Sequence, residues 1–141
     1  MCKSIQRAFA IFCVVTQCAA CTSDTTSPDS ENPDLEEYGF AANVQPLINS
    51  ACNCHQSTPL MAPFGLKPAE AYANLVNKPA MQLPSMLLVE PGALNDSYLW
   101  HKINGTQLQV GGMGLIMPST VPLNAEERRV FERWIAAGAT P

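Results

Sequence analysis

Cys52, Cys54 and His55 place two thiols and an imidazole within four consecutive residues, in the stretch Ser50-Ala51-Cys52-Asn53-Cys54-His55-Gln56. The other cysteines, Cys2, Cys13, Cys18 and Cys21, all fall at or before position 21, so this is the soft-ligand cluster of the rest of the chain. A cysteine followed directly by histidine is the closing half of Cys-x-x-Cys-His, the attachment signature for c-type haem. There the thiols add across haem vinyl groups to make thioethers, and the imidazole becomes the proximal iron ligand. Here the first thiol comes one residue late, because position 51 is Ala51 and the text reads Cys-x-Cys-His. On an ideal helix a separation of two turns side chains about 200° apart, so both thiols cannot reach one porphyrin edge without distortion. One thioether is therefore expected, from Cys54, with Cys52 left as a spare thiol.

The same residues admit other chemistry. Cys52, Cys54, His55 and a methionine form a soft set suited to Cu(I), so copper binding is an alternative, as is a cofactor-free interaction module. Thiol–disulfide exchange through Cys52-x-Cys54 is a third, with no thioredoxin-like strand–helix pattern around the pair. No Ser/His/Asp constellation stands in a catalytic context and the acids are scattered, so an enzyme acting on a small-molecule substrate is not expected.

The domain organisation follows from charge and hydropathy. Residues 1–21 read as a signal peptide: Lys3 and Arg7 precede the short apolar run Ala8–Val15, and Gln17-Cys-Ala-Ala-Cys21 ends it. Small residues before a cysteine resemble a bacterial lipobox, with Cys21 as the lipidated residue that anchors the protein to a membrane surface. Residues 22–37 are an acidic tether with six carboxylates and a single Leu, too poor in apolar surface to fold. Residues 38–141 form the folded domain, in which six acids balance six bases. The formal net charge of -4 thus belongs to the tether and leader, and no basic patch with interleaved aromatics points to nucleic acid.

Within the domain, Phe40, Val44, Leu47, Ile48 and Ala51 recur at helical spacing and lead into the Cys/His stretch. Pro68–Val76 opens with proline at a first helical position. Pro79 and Pro84 mark a loop, and Leu87–Glu90 is a short apolar run closed by Pro91-Gly92. Asn95-Asp-Ser97 precedes a helix from Tyr98 to Ile103, stopped by Asn104-Gly105. A charge-free, glycine-rich loop runs from Gln109 to Pro118. The last helix is capped by Asn124 with Glu127 three residues on, buries Val130, Phe131, Trp134 and Ile135, and ends at Gly138. No alternating strand is evident, so the expected fold is all-α, with three to five helices and long loops. Loops of that length suggest a flat apolar cofactor filling the middle.

From about Phe40 to Ala139 these pieces resemble, in order, a class I c-type cytochrome domain of secreted bacterial lipoproteins. The matching residues are Cys54-His55, Gly65-Leu-Lys-Pro68, Val89-Glu-Pro-Gly92 with Ser97–Gly105, Met117-Pro118, and Trp134-Ile-Ala-Ala-Gly-Ala139. The resemblance implies a class I cytochrome c-like architecture around a haem pocket, closed by crossed terminal helices. It implies haem c as cofactor, His55 as proximal ligand and Met117 as distal ligand, with Met113 the substitute. It also implies single-electron transfer with redox proteins of the bacterial cell envelope, on the periplasmic side or outer surface. His101 matches no ligand position and is expected to be structural or exposed.

Overall fold

The computed structural model describes residues 38–57 and 62–141. The leader, its lipobox-like end at Cys21 and the tether lie outside the described residues, as do residues 58–61.

A π-helical turn, Phe40–Val44, runs directly into helix α1, Gln45–Ala51, with Pro46 in its first turn. Proline costs nothing there, since a first-turn N–H has no intrahelical partner. Helix α1 stops before Cys52, and a 3₁₀ turn, Asn53–His55, follows. Helix α2 is shorter than its sequence suggests, Ala71–Leu75, because residues 68–70 form a turn onto the Lys67 carbonyl. Helix α3 is Tyr98–Asn104, ended by Gly105 in the left-handed conformation at φ 70°. Helix α4, Ala125–Ala136, has the expected capping box: Glu127 N–H donates to Asn124 Oδ1 at 3.0 Å and Asn124 N–H to Glu127 Oε2 at 2.7 Å. Among the described residues no helix is long and apolar enough to cross a membrane.

The all-α expectation is corrected. About 42% of the described residues are helical. Strand β1, Pro79–Ala80, pairs antiparallel with β2, Leu83–Leu87, in a two-stranded sheet, so the architecture is mixed. Proline is confined to sheet edges, strand starts and bulges, and a two-stranded sheet consists of edges. Pro79 and Pro84 are therefore tolerated, although they read as loop markers in the sequence. The usual strand signal is missing too: exposure along β2 does not alternate, and the register is irregular between Pro79 and Ala80. Single parallel bridges, Val76 with Val89 and Leu87 with Ser97, stitch this sheet to α2 and α3.

The core lies where the first helix, α2 and α4 meet. Phe40, Val44 and Ile48 pack with Leu66, Leu75, Val89, Phe131, Trp134 and Ile135, all buried. Phe40 packs tilted at 5.2 Å against Trp134 and edge-on at 5.4 Å to Tyr72. The C-terminal tail closes this face: Trp134 Nε1 donates to the Thr140 carbonyl at 2.7 Å, and Tyr72 Oη to that of Ala139 at 3.0 Å. Ser97, fully buried ahead of α3, does not cap that helix; its Oγ accepts from Glu90 N–H and donates to the Ala93 carbonyl, both at 2.9 Å.

Candidate haem-attachment site

The Cys/His stretch sits at the end of α1, as its sequence suggests, but past the helix and not within it. Cys52 is the C-cap of α1: its N–H donates to the Ile48 carbonyl at 2.9 Å, and its own carbonyl accepts from His55 N–H at 3.0 Å. Cys52, at φ −108° and ψ 44°, immediately precedes the 3₁₀ turn that carries Cys54. Cys52 is half-buried and packs against the core, whereas Cys54 is exposed. Burial, with a smaller contribution from neighbouring Cys54, pushes the Cys52 thiol up to about 11.

At pH 8 a thiol at about 11 is roughly one part in a thousand thiolate, and the thiolate is the nucleophile. In the haem-free domain, Cys52 should therefore be alkylated slowly, accelerating about tenfold per pH unit between 8 and 10. Peptide mapping after timed iodoacetamide pulses checks this; a rate at Cys52 that is flat over that range would contradict it.

His55 is held by the loop that follows. Its Nδ1 lies 2.9 Å from the Phe64 carbonyl, its ring packs on Phe64 with centroids 4.8 Å apart, and its carbonyl accepts from Leu66 N–H at 2.9 Å. A carbonyl can only accept, so Nδ1 carries the proton and Nε2 of the neutral ring presents a lone pair. Metal-ligating histidines have this arrangement, with the remote N–H anchored by a carbonyl or carboxylate that fixes tautomer and ring orientation. His101 differs: Nε2 lies 2.8 Å from the Asn95 carbonyl and Nδ1 2.9 Å from Thr106 Oγ1, so both nitrogens are occupied and the ring is structural.

Met117 stands on a different scaffold. Its N–H donates to the Lys102 carbonyl at 2.9 Å, and its side chain is 38% exposed, compared with 58% for Met113. Three residues that the sequence reading passed over pin this loop to α3 and the turn after it. Tyr98 Oη accepts from Met113 N–H at 3.2 Å, Lys102 Nζ donates to the Leu115 carbonyl at 2.6 Å, and Gln107 Nε2 to that of Gly114 at 2.9 Å. A signal was present in the sequence: a lysine in a short helix that also carries Tyr98, Leu99, Trp100 and Ile103 precedes a loop with no charge of its own.

The structure thus brings Cys52, Cys54 and His55 into one turn and holds Met113 and Met117 on another element. Among the described residues no hydrogen bond joins the two. Nor are three His, Cys, Asp or Glu side chains grouped there so as to hold a metal ion. Large apolar side chains are uncovered on the methionine loop and its flanks, namely Leu108, Met113, Leu115, Met117 and Val121, while the core itself is filled by side chains. No family model, curated protein or solved structure matches the chain.

Proposed function

We propose that this chain is a single-electron carrier of the bacterial cell envelope that holds one haem c, bound through a single thioether to Cys54. The carrying observation is the His55 ring, whose Nδ1–H is given to the Phe64 carbonyl at 2.9 Å and whose Nε2 is left as a donor atom directly after an exposed cysteine. The donor set fits the group: a thiol open to solvent, an oriented imidazole, and a thioether at Met117 on a loop with uncovered apolar neighbours. Bound haem supplies one-electron chemistry, which no side chain of this sequence provides. His55 and Met117 would hold the iron, and the weak thioether donor would favour a relatively high potential. With both residues given to the iron, no open position would be left for substrate, so the role is transfer and not catalysis. A leader ending at Cys21 and an acidic tether fit delivery to, and lipid anchoring at, a membrane surface, where envelope redox proteins are the partners.

Expression of the full chain in a bacterial envelope with a c-type maturation system tests this. Denaturing mass spectrometry should show a haem-sized increment, and the reduced protein a c-type α-band lying red of the two-thioether position. Reversible one-electron reduction without carbon monoxide binding is expected for Met117 ligation. A colourless protein of haem-free mass, from cells that mature a control cytochrome, would overturn the proposal.

A further inference from the structure

Lys102 is 7% exposed, and no carboxylate among the described residues pairs with it. A buried ammonium without a counter-ion is costly unless its protons are taken up by hydrogen bonds. Here they go to loop carbonyls, Leu115 at 2.6 Å and Met113 at 3.3 Å, while the Lys102 backbone carbonyl receives Met117 N–H at 2.9 Å. One residue therefore grips the methionine loop at three points. The loop is shaped to allow it. Gly114 has φ +79°, and a Cβ there would come to 3.4 Å from Lys102 Nζ and 3.1 Å from Gln82 Nε2. Gly112 is closer still, since a Cβ would fall 2.5 Å from Tyr98 Oη. Desolvation lowers the Lys102 pKa from its ordinary value, which marks the cost of keeping this cation in place.

We infer that Lys102 is a positioning residue for Met117: its side chain clamps the Met113–Leu115 carbonyls and so holds Met117 in place as the distal ligand. The inference rests on the haem reading for the ligand role alone; the clamp belongs to the protein with or without haem. An apolar side chain at 102 would strand the Leu115 carbonyl and leave the Met113 carbonyl with only the longer Tyr98 Oη contact at 3.4 Å, on residues that already lie at the surface. They recover partners from water when the loop swings outward, and Met117 leaves with them.

The test uses the haem-loaded full chain and imidazole as a competing iron ligand. Lys102→Met should tighten apparent imidazole binding about tenfold or more, because a loosened Met117 competes less for the same position. Lys102→Arg, which keeps charge and donors, should recover most of that change. In the haem-free protein the Met113 and Met117 amides should exchange hydrogen about tenfold faster in Lys102→Met, with those of Trp134 and Ile135 unaltered. Gly114→Ala, on the exposed loop, pushes on the clamp from the other side and should act in the same direction, so the question stays answerable if Lys102→Met fails to fold. Imidazole affinity within twofold of wild type, or faster exchange spread evenly to Trp134 and Ile135, would overturn the assignment. If the wild-type chain takes up no haem, the haem reading fails by itself and the exchange measurement alone decides the clamp.

Discussion

Cys54→Ala should give a protein that carries no haem after denaturation, whereas Cys52→Ala should keep the full mass increment. Thioether formation adds a sulfur and its hydrogen across a vinyl group, so it needs an accessible thiol beside the anchored imidazole and no external oxidant or reductant. Cys54 meets that requirement, since it is exposed and directly precedes His55. Cys52 does not: its thiol is half-buried against the core and pushed up to about 11. The effect is all-or-none and not a matter of stability, because an exposed Cys54 contributes little packing. His55→Ala separates attachment from ligation: the thioether should survive while the spectrum loses its low-spin form. An increment lost in Cys52→Ala and kept in Cys54→Ala would reverse the roles of the two thiols. Retention in both variants would mean that the turn rearranges so that either sulfur can reach the haem.

The signals that could be read from sequence were those generated within a few residues. Asn124 and Glu127 specify the start of α4 by reciprocal hydrogen bonds over three positions, and the structure has both. Pro46 in the first turn of α1 and left-handed Gly105 after α3 are local devices of the same kind. The β1–β2 sheet was hidden because its prolines obey an edge-strand rule that becomes visible only once the partner strand is known. Ser97 looked like a cap for α3 and instead bonds back to Glu90 and Ala93, a choice set by the turn before it. The candidate site divides in the same way. Cys54-His55 stands out by composition, but the Phe64 carbonyl that fixes the His55 tautomer does not, since any residue has a carbonyl. Lys102 was passed over for a related reason: a lysine on a short helix is ordinarily solvated, and only the return of the loop over α3 buries it.

Trp134→Ala should be the most destabilising single change in the described domain, costing about 3–5 kcal/mol, the range for emptying a buried large aromatic site. Trp134 is fully buried, and the Phe40 ring packs against its indole at 5.2 Å with the planes tilted by 49°. Its Nε1 also satisfies the Thr140 carbonyl at 2.7 Å, and its own carbonyl accepts from Ala139 N–H at 2.9 Å. Truncation therefore removes packing and the indole bond to Thr140, leaving the tail that ties Phe40 and Tyr72 to α4 held only by its backbone bond from Ala139. For a domain of this size that cost corresponds to a fall in melting temperature of roughly 15–30 °C. A loss of this size is a large part of the 5–15 kcal/mol that typically holds a domain folded, so haem uptake should fall as well. Arg129→Ala is the contrasting change: its ion pair with Glu126 spans 3.1 Å but is 60% and 80% exposed, so its loss should cost well under 1 kcal/mol. Thermal and denaturant unfolding of the haem-free variants measures both. A Trp134→Ala cost no larger than that of Arg129→Ala would mean that the first helix and α4 are not joined through this contact. The loop bearing Cys54 and His55, which hangs from the end of α1, would then have no fixed base.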